Sequence, residues 1–438
     1  MPDRPVRSWL FAALIAMFAL GVPSLARAEQ MTTISSEYQV RASELLDILK
    51  GSQQEESFFA SSFLDAVPLP QVRALVAQLQ TQYGEPLTIT RIIPASAKDG
   101  TVEIAYAKAT LAMRMVLDNS APYPVIGLQV TGANMTDDSI DKVKQEFETL
   151  PGAAGFEIAE IGVDQTSIIT SLNADQQFAI GSTFKLYILA ALSSKIANSD
   201  RDWDDVVPIY RKSLPSGILQ DWPIGTPMTL QALATLMVSV SDNTATDILM
   251  TELGSNILDE MVYKSGHSAP DKMLPMLSTI EFFDLKMPKN ADVRALYIEA
   301  SDDVQRDLLS RYNIGLDAKS IDISNLANKP QHIETVEWFA APSDLTGLLQ
   351  IINNIEDPVV KNILKINPLI PPGDALRWNY IGGKGGSEPG VISFAFLTKS
   401  KSGKTYAVSG SWNNSVAPVD NDKFTLMMNR LLNLIAAR

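Results

Sequence analysis

The sequence predicts an α+β protein in two units. A small helix-then-sheet unit spans 29–135. A larger unit over 136–438 is built on a five-stranded antiparallel sheet flanked by helices, with a helical subdomain between its strands. Three observations carry this expectation. The 438-residue length is enough for two buried cores. Helical periodicity comes first in 31–135, and extended runs follow it. Beyond 139 the order is helix, two strands, a long helical stretch, three strands and a helix, so the sheet draws strands from both ends of its domain.

In chain order, the first 28 residues read as an export signal. Arg4 and Arg7 precede the apolar run Trp9 to Val22, and Ala26-Arg27-Ala28 supplies a small-x-small cleavage pattern. The run is shorter than a membrane span needs, the two arginines are not adjacent, and a chain without cysteine has no lipobox. A mature protein starting near Glu29, in the periplasm or secreted, is the expectation. Tyr38 to Leu49 and Pro70 to Tyr83 then carry apolar residues at helical spacing, with Val72, Leu75, Val76 and Leu79 on one face. Gly84-Glu85-Pro86 stops the second helix. Extended runs follow over Leu87 to Ile93, Val102 to Leu117 and Val125 to Val130, separated by turn chemistry at Lys98-Asp99-Gly100 and at Asn119 to Pro124. This pattern resembles the cystatin-like, nuclear-transport-factor-like cone, a sheet curved around a helix. A likeness of fold implies no particular function.

The larger unit opens with a polar helix over Ser139 to Leu150 and strands over Phe156 to Val163 and Ser167 to Leu172. The run through Phe178 enters a helix that carries Lys185, and another helix covers about 229–239. Strands over Trp378 to Gly382 and Val391 to Thr398 precede a hairpin turn at Lys401-Ser402-Gly403-Lys404, the strand Tyr406 to Trp412 and a last helix from Lys423. There is no internal repeat or low-complexity tract.

Composition excludes several function classes. With no cysteine there are no disulfides, and with only two distant histidines, His267 and His332, and no H-E-x-x-H, a metal site is not expected. A net charge of −14 argues against nucleic acid, whose phosphates need clustered basic residues. No cofactor is implied: Ser402-Gly403-Lys404-Thr405 imitates a phosphate loop but lacks its upstream glycine. A serine–histidine–aspartate triad through His267 or His332 finds no G-x-S-x-G to support it. Trp203, Trp222 and Trp338 read as core or cleft walls.

Three short stretches carry the chemistry: Ser182-Thr183-Phe184-Lys185, Ser241-Asp242-Asn243 and Lys384-Gly385-Gly386. A serine hydroxyl is a poor nucleophile without an adjacent base. Lys185, three positions on, faces the same side of the helix as Ser182. A lysine buried beside other cations loses its proton near neutrality and can then accept one from the serine. Such a set forms an acyl-enzyme without histidine, cysteine or metal. Each stretch alone is weak, since Ser241-Asp242-Asn243 also suits a helix cap and Lys384-Gly385-Gly386 a turn. Their order and combination are what count.

On these residues the chain resembles the serine β-lactamase and penicillin-binding protein superfamily, and within it the class A β-lactamases, over about 139–438. The resemblance implies a β-lactamase/transpeptidase-like fold and hydrolysis of β-lactam or related amide and ester bonds, hence antibiotic breakdown. It also implies Ser182 as acylated nucleophile and Lys185 as its base or base partner. Ser241 would relay a proton to the departing nitrogen, and Asn243 would hold the substrate amide and Lys185. Lys384 would attract the substrate carboxylate, and the backbone N–H groups of Ser182 and Ser387 would form the oxyanion hole. A serine at 241, where a tyrosine marks class C, argues against that branch.

Two departures matter. The family's third motif has a hydroxyl residue between lysine and glycine, where this chain has Gly385, and Ser387 is the nearest replacement. Class A enzymes also activate the deacylating water with a glutamate beyond the middle motif. The corresponding Asp271-Lys272-Met273-Leu274-Pro275-Met276-Leu277 has none, and the distance from Ser241 to Lys384 is longer than is usual in the family. Glu281 is the nearest candidate, although Ser278-Thr279-Ile280-Glu281 also fits a capping box. The alternatives are a penicillin-binding carboxypeptidase, transpeptidase or esterase acting on a peptidoglycan-like substrate, and a sensor that acylates once and stays occupied.

Overall fold

The computed structural model describes residues 33–162, 165–316, 318 and 321–438. The expected export segment lies outside them, as does Val163. No described helix is long and apolar enough to cross a membrane.

The described residues fall into two compact units, 33–138 with Ile370–Asp374, and the remainder. In the first, Ser35 caps the helix Ser36–Leu49 by accepting from Tyr38 N at 3.2 Å. Two short helices and a longer one, Leu69–Tyr83, follow. The sheet is an antiparallel meander of β1 (Pro86–Pro94), β2 (Asp99–Tyr106), β3 (Ala109–Leu117) and β4 (Val125–Met135), in sequence order. Tyr38, fully buried, docks the first helix on it: its hydroxyl lies 2.8 Å from Gly100 O and 3.0 Å from Met115 O. The run 102–117, extended throughout by periodicity, breaks at Ala107 and Lys108. Their N–H groups donate to Glu85 O (3.0 Å) and Tyr83 O (2.9 Å), so the end of the helix Leu69–Tyr83 captures the turn.

The second unit contains the helix Ile140–Glu148, then β5 (Ala153–Ile161), β6 (Thr166–Leu172) and the two-residue β7 (Phe178–Ala179). β8 (Val206–Pro208) and β9 (Pro227–Thr229) form a small separate ribbon, and β10 (Phe339–Ala340) pairs with β7. β11 (Trp378–Glu388), β12 (Val391–Ser400) and β13 (Thr405–Asn413) complete a five-stranded antiparallel sheet in the order β11-β12-β13-β5-β6. It closes where β13 meets β5, Gly410 opposite Phe156.

Adjacent β5 residues point to opposite faces. Phe156 packs with Phe147 of the first helix of the unit, which in turn packs on Phe424 of the last helix, Asn421–Ala436. The opposite face carries the helix Pro342–Asn354, whose Pro342 O accepts from Ser409 Oγ at 2.9 Å. Beyond it lies Lys185–Ala197, buried on every side from Lys185 to Ser193, the mark of a helix through the centre of a core. The helices Leu230–Ser239, Asn243–Leu253 and Ser255–Lys264 pack around it.

Two elements differ from the sequence reading. Ser182 sits in a 3-10 turn, Gly181–Phe184, that leads into the helix at Lys185. Lys384-Gly385-Gly386 lies within β11 rather than ending a strand, because Lys384, Gly385 and Gly386 pair with Ala395, Phe394 and Ser393 on β12. Pairing with a hydrophobic central strand overrides the low strand propensity of glycine.

Candidate active site

The turn that carries Ser182 is anchored on both sides. Thr183 Oγ1 donates to Ser393 O at 3.1 Å. The Phe184 ring stacks on Trp338 with centroids 3.9 Å apart, Trp338 Nε1 donates to Leu277 O (2.9 Å), and Ile180 N donates to Trp338 O (3.0 Å). Gly181 has φ +47, the left-handed conformation that glycine adopts freely. Thr183, Phe184 and Lys185 are fully buried, while Ser182 keeps partial access to solvent. A 3-10 turn eclipses side chains three apart, so Ser182 and Lys185 share one side of it.

Lys185 Nζ makes three short contacts: it donates to Ser241 O (2.7 Å) and Asn243 Oδ1 (2.7 Å), and it lies 3.1 Å from Ser241 Oγ. Lys384 Nζ is also 3.1 Å from Ser241 Oγ and donates to Gly385 O at 2.5 Å. The Ser241 hydroxyl therefore bridges the two amines. Burial pushes Lys185 well below the usual lysine range, and the neighbouring Lys384 pushes it further, against the pull of Asp247 and Asp242. Burial alone brings Lys384 down to about 7.

Ser241 has φ +57, a conformation that costs a non-glycine residue about 1–3 kcal/mol and persists only where the surroundings enforce it. Asp242 does the enforcing. Its Oδ1 caps the helix Asn243–Leu253 at Ala245 N (2.8 Å), and its Oδ2 accepts from Ile218 N (2.7 Å) and Leu219 N (2.9 Å). Gly217, at φ +110, passes so close that a Cβ there would lie 2.3 Å from Asp242 Cγ. Asn243 Nδ2 donates to Leu214 O (3.0 Å), so its amide holds Lys185 with one end and this loop with the other. The cap expected of Ser241-Asp242-Asn243 and contacts to both lysines thus coexist in one motif. Asp247 braces the same helix, accepting from Ser213 Oγ (2.6 Å), Thr279 N (2.7 Å) and Ile280 N (3.1 Å). No motif flagged it.

β11 passes Ser182 at backbone contact. A Cβ on Gly386 would lie 2.3 Å from Ile180 O and 2.4 Å from Ser182 N. The next residue, Ser387, is exposed. At Gly385 the space a side chain needs is taken, since a Cβ would meet two Phe394 ring carbons at 2.6 Å and Leu369 at 3.0 Å. Phe394 is itself hemmed by Phe396 and Phe424, each at 5.8 Å between centroids. Gly385→Ser is therefore expected to cost about 1–3 kcal/mol through overpacking. Adding Phe394→Ala should make the serine tolerable, so that thermal unfolding shows the two changes to be strongly non-additive. Equal destabilisation by Gly385→Ser with or without Phe394 would discard this account.

Glu281 takes part in a capping box, its Oε2 accepting from Ser278 N (2.8 Å) and Ser278 Oγ (2.6 Å). Burial raises its carboxyl, and the Ser278 hydrogen bonds oppose this. It lines a cavity of about 540 Å³ with Arg211 and Arg306, and none of Ser182, Lys185, Ser241 or Lys384 borders that cavity. Met273, Leu274, Met276 and Leu277 are all buried and apolar. The structure thus brings Ser182, Lys185, Ser241, Asn243, Lys384 and Gly386 together, whereas the Glu281 Oε2 is held by Ser278.

A family model described as the β-lactamase enzyme family matches residues 138–318. The carbapenem-hydrolysing β-lactamase KPC of Klebsiella oxytoca is 26% identical over 147 residues, which is 33% of this chain. The chain spans 48% of the length of that relative. Among solved structures, PBP-A is 15% identical with a TM-score of 0.45, covering 68% of this chain and 94% of its own. A β-lactamase from Francisella tularensis is 17% identical with a TM-score of 0.47, covering 68% and 98%. The fold is α+β, a five-stranded antiparallel sheet flanked by helices, and the stretch 138–318, similar to the β-lactamase enzyme family, carries Ser182, Lys185, Ser241 and Asn243.

Proposed function

We propose that the protein is an exported serine hydrolase that opens β-lactam or related amide and ester bonds through an acyl-enzyme on Ser182. The observation that carries this reading is the Ser241 hydroxyl 3.1 Å from two buried lysine amines, one of them pushed far below its ordinary value. A neutral Lys185 keeps a lone pair once its two N–H groups go to the Ser241 and Asn243 oxygens. It takes the Ser182 proton as the hydroxyl attacks the carbonyl carbon. The Ser182 and Ser387 N–H groups stabilise the oxyanion, a single such donor being worth about 3–4 kcal/mol. As the C–N bond breaks, Ser241 gives its proton to the departing nitrogen and recovers one from the lysines beside it. Lys384, protonated below about 7, attracts the substrate carboxylate.

Release of the acyl group is the slow step in this reading, because Met273 to Leu277 offer no carboxylate and the Glu281 Oε2 is held by Ser278. That same observation favours a second reading, a penicillin-binding protein that is acylated and turns over little. The export signal at 1–28 and a cone-like domain at 29–135 remain parts of the proposal, and an intact mass that retains residues 1–28 would remove the first of them.

Incubation of the mature protein with a chromogenic cephalosporin tests both readings. The hydrolase predicts turnover that Ser182→Ala abolishes. The second reading predicts a stable mass adduct with little turnover, also lost in Ser182→Ala. Neither adduct nor turnover in the wild type would sink acylation at Ser182.

A further inference from the structure

Beside the site lies a buried ammonium that the mechanism above does not use. Lys286, at the end of the helix Thr279–Lys286, has a side chain with no exposure. Its Nζ donates to Glu337 Oε1 (3.0 Å) and Glu388 Oε1 (2.6 Å) and sits 4.1 Å over the Phe282 ring. The two carboxyl groups belong to different walls of the site. Glu388 is the last residue of β11 and follows Ser387 directly. Glu337 precedes Trp338 and accepts from Trp338 N at 3.2 Å. Trp338 is sandwiched between Phe184, at 3.9 Å, and Phe282, at 4.2 Å. One cation thus ties the strand that supplies the Ser387 N–H to the aromatic stack under the turn that supplies the Ser182 N–H.

We propose that Lys286 is a positioning residue for acylation, setting the spacing of the Ser182 and Ser387 backbone donors through Glu337 and Glu388. It rests on the acyl-serine reading above. The physical reason is geometric. Gly386 already brings β11 into backbone contact with Ser182, and the strand end beyond it, Ser387 and Glu388, lies at the edge of the sheet, paired on one side with Ile392 and Val391 of β12. A buried cation whose partners keep their hydrogen bonds fixes direction better than apolar contact; burial pushes the Glu337 carboxyl well above the usual carboxylate range, Lys286 opposes this, and loss of Lys286 removes the cation between Glu337 and Glu388. Displacing reactive groups by an ångström or so costs about 100-fold in rate.

The test measures the limiting acylation rate constant and the dissociation constant of the preceding complex for a chromogenic cephalosporin, with intact mass as the readout of the adduct. Lys286→Met and Glu388→Ala are each expected to lower the rate constant by about 30-fold or more while changing the dissociation constant by less than about threefold. Glu388→Gln keeps an acceptor for Lys286 and should restore most of what Glu388→Ala loses. Rates are normalised to the folded fraction, and if Lys286→Met does not fold, Glu388→Ala decides, since it leaves the Lys286–Glu337 pair in place. Wild-type rate constants in the variants, or losses confined to the dissociation constant, overturn the role of Lys286 alone. No adduct in the wild type overturns the acyl-serine reading and this inference with it.

Discussion

Lys185→Met is expected to slow acylation of Ser182 by about three orders of magnitude while leaving the folded state at least as stable as the wild type. Ser182 loses its base, and the Ser241 hydroxyl loses one of the two amines at 3.1 Å. Stability moves the other way because a buried amine opposes folding whenever the unfolded chain would hold its proton. Lys185 has a folded value well below its ordinary 10.5, so between the two the unfolded state binds more protons and stability rises with pH. The advantage of the methionine variant in thermal unfolding should accordingly be present at neutral pH and shrink as pH rises through 10.5. The wild-type acylation rate should follow a bell. On its acid side, protonation of Lys185 removes the base. On its alkaline side, Lys384 gives up its proton above about 7 and no longer draws the substrate carboxylate. A flat profile, or a Lys185→Met variant that acylates normally, would take Lys185 out of the mechanism.

The second large effect is expected at Gly386. A methyl there would sit 2.3 Å from Ile180 O and 2.4 Å from Ser182 N, and both are backbone atoms that no rotamer change can move aside. Gly386→Ala must therefore push β11 away from the nucleophile turn. Loss of one oxyanion donor alone costs about 100- to 1,000-fold, so acylation should fall at least that far, with a lower unfolding temperature. Gly127→Ala is the control: its Cβ meets only Val116, at 3.6 Å, an ordinary contact, and acylation should not change. Wild-type acylation by Gly386→Ala would mean that β11 and the Ser182 turn do not form a joint site.

Much of the architecture was legible because burial repeats along the chain. Leu186, Ile188, Leu189, Ala191 and Leu192 announce a central helix, and the alternating runs on either side of the helical stretch announce a sheet drawn from both ends. The break at Ala107 was not legible, since nothing in Ala107-Lys108 is a turn signal. The carbonyls of Tyr83 and Glu85, which are distant in sequence, decide it. The strand through Gly385 and Gly386 was obscured for a similar reason: its partners Phe394 and Ser393 supply what glycine lacks.

By itself the sequence determined which groups the proposed chemistry would use. The three-residue step from Ser182 to Lys185 is a local property of any helical turn, and Ser241, Asn243 and Lys384 were readable from their order. Only the tertiary structure decided what those groups are. Burial from every side lowers Lys185 and Lys384, the Phe394 ring fills the place of a residue 385 side chain, and Ser278 claims the Glu281 Oε2. Each depends on atoms brought together from distant parts of the chain, or on the surroundings they jointly form. Proton affinity and free space are properties of that assembled environment, so residue type and spacing alone do not specify them.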